Sequence, residues 1–255
     1  MRINKFISES GVCSRREADT WIAAGRVAIN GETASLGSKV SEADRVTVDG
    51  RPIGARKPVV YIALHKPVGI TCTTERSVAG NIVDFVGHPE RIFPIGRLDK
   101  DSEGLILLTN DGDIVNEVLR AEHAHEKEYI VTLERPVTPE FLAAMEAGVE
   151  ILGTRTRPCV ATPVARKVFR IVLTQGLNRQ IRRMCEALGH RVTRLRRVRI
   201  MHIALGELPS GRWRDLDPDE LAELHARCGR TSFEAPRPAP PEPRRAKSPS
   251  ARPAR

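Results

Sequence analysis

The 255-residue chain lacks several features that mark other classes of protein. Aromatic residues make up 4% of it, and none of its five cysteines lies in a C-x-x-C pair. An odd number of scattered cysteines argues against both a disulfide framework and a zinc site. Aliphatic runs such as Leu105–Leu108 are far shorter than the ~20 apolar residues that cross a bilayer. Residues 1–5 form no apolar signal region, so we expect a cytoplasmic protein without membrane contact.

The usual cofactor-binding and catalytic motifs are also missing. The chain contains no H-x-x-x-H ligand pair, no G-x-G-x-x-G loop, no phosphate loop ending in Lys-Ser or Lys-Thr, and no nucleophile elbow at Ser102. The closest histidines, His123 and His125, lie on a charged segment typical of a protein surface. The sequence therefore predicts neither a metal nor a cofactor, and carboxylate chemistry is what it offers instead.

Arginine is concentrated in one stretch of a basic chain. The formal net charge is +9, and residues 179–199 carry eight arginines against the single acid Glu186. Such a concentration is typical of a protein that contacts a phosphate backbone. A solvated helix face is the alternative, but lysine is absent from the stretch, and arginine is preferred where forked donors meet phosphates.

Residues 1–49 have the pattern of a small independent module. Two short helices are expected, the second opened by a capping box of Ser14 and Glu17. Short strands at 27–29 and 46–48 follow. Residues 50–58 are rich in glycine, proline and basic side chains, which is typical of an interdomain linker.

The body of the chain, residues 59–233, contains more strands than helices, and the two do not alternate strictly. This order predicts an α+β domain whose mixed sheet is mainly antiparallel and flanked by helices. Residues 234–255 are rich in proline, alanine and arginine without apolar periodicity, so we expect a disordered tail. Strands are predicted at 59–64, 105–109, 129–133, 168–173, 198–205 and 213–216, and helices at 111–119, 138–147, 179–187 and 217–228.

A polar, glycine-bounded loop at residues 96–104 carries Arg97, Asp99 and Asp101. It runs directly into an aliphatic strand that ends in an Asn-Asp-Gly turn at 110–112. A carboxylate on a loop that is anchored by a buried strand is held in a fixed position for chemistry. Two nearby carboxylates could also suit a glycoside hydrolase, but the arginine stretch and the N-terminal module argue against that class.

Residues 96–112 resemble the signature of the RNA pseudouridine synthases, in the branch that includes RsuA, RluB, RluE and RluF, and residues 2–31 resemble an S4 RNA-binding domain. The resemblance implies an S4 domain followed by a pseudouridine synthase catalytic domain. It also implies the reaction: the N1–C1′ bond of a uridine breaks, the uracil rotates, and it rejoins through C5 without metal or cofactor. Glycal, acylal and Michael-type mechanisms stay open. A non-catalytic S4-type RNA-binding or ribosome-assembly factor is the alternative.

The resemblance also assigns roles to residues. Asp99 matches the catalytic aspartate, Tyr129 the tyrosine that stacks on the target base, and Arg182 the arginine that pairs with that aspartate. Asp101 is expected to close the turn that follows, and Leu195 to pack in the core or against the base. The candidate RNA contacts are Arg2, Lys5, Arg15, Arg16, Arg26, Arg97, Arg179 and Arg183.

The expected partner is ribosomal RNA, bound by a monomer. The opening residues are most similar to members of this branch that act on 23S rRNA, so we expect that RNA as the substrate. The sequence leaves open which uridine is modified, and whether 16S rRNA or an additional tRNA is a substrate.

Overall fold

The computed structural model describes residues 1–41, 43–54, 57–119 and 125–230. They form two modules, each with its own apolar core. The tail that we expect to be disordered, 234–255, lies outside the described residues, as does part of the predicted linker.

The N-terminal module consists of two helices and a four-stranded sheet. Helix α1 spans Ile3–Glu9 and α2 spans Arg15–Ala23, which begins with the predicted capping box. The sheet has the order β2-β1-β3-β4, with the strands Val27–Ile29, Glu32–Thr33, Val46–Val48 and Arg51–Pro52. The last strand is a correction, because Arg51 and Pro52, assigned to the linker, pair with Val46–Val48.

The remaining helices and strands of the described chain belong to the second module. Each predicted helix is present within a residue or two of its expected ends, since proline and polar caps define where a helix begins. The helices are α3 Ile82–Val86, α4 Gly112–Leu119, α5 Pro139–Glu146, α6 Gln180–Ala187 and α7 Pro218–Arg227. The strands are β5 Tyr61–Lys66, β6 Phe93–Ile95, β7 Glu103–Thr109, β8 Lys127–Leu133, β9 Glu150–Ile151, β10 Thr154–Arg155, β11 Val160–Ala165, β12 Val168–Leu173, β13 Val192–Ile200, β14 Ile203–Ala204 and β15 Trp213–Asp215.

A mixed sheet organises this module, in the order β11-β12-β8-β13-β7-β5-β15. Strand β13 runs parallel to β7, and the other pairings in that order are antiparallel. The expected α+β class with a mainly antiparallel sheet is therefore confirmed. The parallel pairing covers two register pairs, Arg196 with Glu103 and Arg197 with Gly104. We call this contact the seam.

Separate apolar cores lie on the two sides of the seam. On one side, α5 and α6 cover β8 and β12, with Phe169 and Met184 fully buried. On the other side, both faces of β5 and β7 are covered, which explains why these strands are apolar at nearly every position.

The strand predicted at 198–205 is wrong in its bounds. The observed strand β13 begins at Val192 and ends at Ile200, and the chain then reverses through Met201 and His202 into β14. Its arginines do not alternate regularly with apolar residues, so the sequence does not show the two-residue period that is typical of a half-buried strand. In the described residues, no helix is long and apolar enough to cross a membrane.

Candidate active site

The loop between β6 and β7 is anchored to the protein at several points. The amide of Ser102 donates to the carbonyl oxygen of Asp99 at 3.1 Å, which closes a tight turn. The amide of Gly69 donates to the carbonyl oxygen of Lys100 at 2.7 Å, and the amide of Leu98 donates to Cys72 Sγ at 3.4 Å. Leu98 and Ser102 are buried. The backbone on both sides of Asp99 is therefore fixed, while its side chain is 33% exposed.

The ion pairs of this loop differ from the expectation. Arg179, not Arg182, is the cation next to Asp99, with 3.7 Å between Nη1 and Oδ2. Arg182 instead approaches Asp101, with 3.4 Å between Nε and Oδ2. It also donates from Nη2 to the Asp101 carbonyl at 2.9 Å and to Ser102 Oγ at 3.2 Å. The expected pairing of Arg182 with Asp99 is thus not observed.

Asp101 is the most strongly bound carboxylate of the loop. Arg179 donates to both of its oxygens, at 3.0 and 2.9 Å. These hydrogen bonds, with the added charge of Arg182, hold the pKa of Asp101 below its usual range. The role expected for Asp101 was to close a turn, but its side chain also holds Arg179 and Arg182 against the loop. Its oxygens are occupied, which disfavours the paired-carboxylate chemistry of a glycoside hydrolase.

Arg179 has an unusual backbone conformation. It precedes α6 with φ of 51°, in the left-handed region that residues with a side chain seldom adopt. This conformation places the guanidinium on the Asp101 carboxylate rather than along the helix. Strained residues of this kind are concentrated at functional sites.

Tyr129 lies on β8, on the far side of the seam from Asp99, and is paired in register with Arg197 of β13. It packs against the apolar cores on both sides. The Arg197 guanidinium lies 6.0 Å from the centre of its ring, at the outer limit of a cation–π contact. Leu195 lies on β13, two residues before Arg197, and is buried in the core. Core packing was one of the two roles expected for it.

Arg197 is buried beneath the loop, and the sequence did not single it out. It is 4% exposed. Its Nε donates to the carbonyl oxygen of Leu105 at 2.7 Å, and Nη1 donates to that of Arg97 at 3.4 Å. Gly104 allows the backbone of β7 to lie close to that of Arg197, because a Cβ atom at residue 104 would lie 2.2 Å from the Arg197 carbonyl oxygen.

Lys66 is a second buried cation that sequence reasoning missed. It has no exposed surface at the end of β5, and its Nζ donates to the carbonyl oxygen of Pro67 at 2.9 Å. Burial lowers the pKa of Lys66, and the nearby negative charges of Asp101 and Asp99 oppose that shift. A lysine that ends a largely apolar strand is the signal that could have identified it.

The expected RNA contacts fall into two groups. Arg97, Arg179 and Arg183 lie near the loop, although Arg183 donates to the Asn178 carbonyl oxygen at 3.1 Å. The others lie on the N-terminal module, where Arg26 is bound to Asp49 at 2.5 Å and lies over the ring of Trp21. The structure therefore does not bring all of these residues to one surface.

Comparison with known proteins identifies the class of the chain. The model of the RNA pseudouridylate synthase family matches residues 60–187, and that of the S4 domain matches residues 1–46. The chain belongs to the RNA pseudouridylate synthase family and carries an S4 domain at its N-terminus. It has the enzymatic domain of that family, which isomerises uridine in RNA.

Individual relatives place the chain within the family. It is 58% identical to the dual-specificity RNA pseudouridine synthase RluF of Salmonella typhi, over 92% of this chain and 82% of that protein. It is 35% identical to the ribosomal large subunit pseudouridine synthase B of Bacillus subtilis, over 88% of this chain and 96% of that protein. A crystal structure of a pseudouridylate synthase matches with a TM-score of 0.65 and 31% identity, over 88% of this chain and 99% of that one.

Proposed function

We propose that this protein converts a specific uridine of 23S rRNA to pseudouridine, with Asp99 as the catalytic carboxylate. The observation that carries the assignment is the contrast between the two aspartates of one loop. Both oxygens of Asp101 accept hydrogen bonds from Arg179, and Arg182 lies 3.4 Å away, whereas among the described residues Asp99 is paired with one cation, at 3.7 Å. Asp99, half-buried on a fixed backbone, is therefore the carboxylate that is less engaged by the protein and more available to a substrate.

The other residues take supporting roles in this proposal. Arg179 places a positive charge 3.7 Å from Asp99, and Arg182 positions the loop through its bonds to residues 101 and 102. Tyr129 stacks on the uracil once the nucleotide has left its helix, since base chemistry requires that the base be extruded. Arg97, exposed two residues before Asp99, contacts the RNA beside the target.

The names of the relatives support ribosomal RNA as the substrate. One is named for the large ribosomal subunit, and others are dual-specificity enzymes. We propose that the chain acts as a cytoplasmic monomer on 23S rRNA. The substrate is tested by mapping pseudouridines in 23S rRNA, 16S rRNA and tRNA from a strain that lacks this protein and from its parent strain. The uridine that is modified only in the parent strain is the substrate.

The assignment of Asp99 is tested by Asp99→Asn, which keeps the shape of the side chain but removes its charge. We expect release of tritium from C5-labelled uridine RNA to be abolished, while the affinity for RNA changes little. Asp219→Asn, an exposed carboxylate on α7, is the matched control. Turnover by the Asp99→Asn protein above the level of a deamidated contaminant would show that the assignment is wrong.

A further inference from the structure

A groove lies between the two modules and is separate from the site around Asp99. It has a volume of about 360 Å³. Its walls include Lys5, Arg15 and Arg16 of the N-terminal module and Arg91, Asn110 and Asp113 of the catalytic domain. We call it the inter-module groove.

An ion pair joins the two walls of this groove. Lys5 Nζ lies 2.6 Å from Asp113 Oδ2, which links α1 to α4 across the modules. Beside the groove, Lys57 Nζ of the linker lies 3.4 Å from Glu90 Oε1, directly before Arg91 in the chain. The groove is therefore formed by both modules, and neither would provide it alone.

Three cations of the groove are not neutralised. Arg15 and Arg16 are exposed and Arg91 is half-buried. Within the described part of the chain, none of them has a carboxylate within the 4.0 Å of an ion pair. The acids of the groove, Glu9 and Asp113, both lie close to Lys5, at 3.6 and 2.6 Å.

The position of two of these arginines is unfavourable for the fold itself. Arg15 and Arg16 are the first two residues of α2, where the helix dipole favours anions and disfavours cations. Arginines that line one groove without an ion pair of their own also repel each other. A bound anion would reverse both effects, and the planar, forked donors of arginine match the oxygens of a phosphate.

The groove and Asp99 lie at opposite ends of one strand. The catalytic loop leads into the start of β7 at Glu103, and Asn110 of the groove follows its end at Thr109. Seven residues of strand span roughly 20 Å. An RNA that contacts both must therefore extend about that far from the target uridine.

We propose that the inter-module groove binds the phosphate backbone of structured RNA that flanks the target uridine. This rests on the proposed function in taking ribosomal RNA as the substrate. It adds that the catalytic domain itself supplies a phosphate contact, Arg91, remote from the chemistry. A target presented on a short stem-loop ends before the groove, whereas a longer fragment reaches it.

The test compares two RNAs, a 23S rRNA fragment that extends well beyond 20 Å from the mapped target and a stem-loop cut from it. The variants are Arg91→Ala, the pair Arg15→Ala with Arg16→Ala, and all three together. Arg166→Ala, an exposed arginine between β11 and β12, is the matched control. Thermal unfolding confirms that each variant is folded.

The full-length variants are used throughout, and the readout is the ratio of the two dissociation constants. We expect wild-type protein and Arg166→Ala to bind the long fragment more tightly than the stem-loop. The triple variant should lose about tenfold of that advantage, and the slope of log Kd against log salt should fall by about three for the long fragment.

Unchanged affinity for both RNAs in the triple variant overturns the proposal and makes an acidic protein surface the partner that fits these arginines. Equal losses on both RNAs also overturn it, since the contact would then lie near the target. Binding is measured without turnover, so a failure of the proposed function is seen separately, as an absence of tritium release by the wild-type protein on either RNA.

Discussion

Gly104 offers a direct test of how the seam positions the loop that carries Asp99. Its φ of +112° is strained for any residue with a side chain. A Cβ atom there would lie 2.2 Å from the Arg197 carbonyl oxygen and 2.6 Å from its nitrogen. These are backbone atoms, which cannot rotate away, so Gly104→Ala must push β7 and β13 apart.

The expected loss of stability follows from these two terms. An unfavourable backbone conformation costs about 1–3 kcal/mol, and an overpacked contact costs about 1–3 kcal/mol more. A loss of about 3 kcal/mol would lower the melting temperature by roughly 6–12 °C in a domain of this size. It would also be a large fraction of the ~5–15 kcal/mol that stabilises a typical protein.

Thermal unfolding, followed by circular dichroism, measures this effect. Gly176→Ala is the control, because Gly176 does not have a positive φ and a Cβ atom there would meet nothing within 4 Å. Its melting temperature should stay the same or rise slightly. A melting temperature of Gly104→Ala close to that of the wild type would refute the close approach of the two strands.

Two further predictions concern charged groups. Arg182→Ala removes the bonds to residues 101 and 102, so kcat should fall more than RNA affinity, and equal losses would make Arg182 a phosphate contact only. Burial alone would raise the pKa of Asp111, but hydrogen bonds from Tyr61 and Arg230 lower it overall. A lowered pKa gives stability that is present above the unfolded value of about 3.9 and is lost as pH falls through the folded value. Asp111→Asn should therefore lower the free energy of unfolding at pH 7 by about 1–3 kcal/mol. It should also lose less stability than the wild type in urea titrations between about pH 5 and pH 2, and a parallel acid limb would contradict this.

Local signals in the sequence were sufficient for much of the fold. The predicted capping box of Ser14 with Glu17 is present. The predicted helices at 138–147 and 217–228 begin where the sequence has Pro139 at the first position of α5 and a capping box of Asp217 with Glu220. Such signals depend on a few neighbouring residues, so the sequence displays them directly. The short elements α3, β6 and β9–β11 lack such clear signals, and they were missed.

The candidate site was predicted less completely, because its contacts join distant parts of the chain. Asp99 and Tyr129 could be assigned by resemblance. The pairing of Arg179 with both aspartates depends on a left-handed backbone before α6, which no local pattern indicates. The burial of Lys66 and Arg197 is equally hidden, since charged residues are usually expected at the surface.

The seam divides the catalytic domain into two halves that both contribute residues to the proposed site. The loop with Asp99 belongs to the half built on β5 and β7, whereas Arg179 and Tyr129 belong to the half built on β8 and β12. A slight sliding of one half against the other would change the distance from carboxylate to guanidinium while both cores stayed intact. Under the proposed roles of Asp99 and Arg179, such a displacement would lower activity with little loss of stability, and an RNA that contacts both halves would hold them in one arrangement.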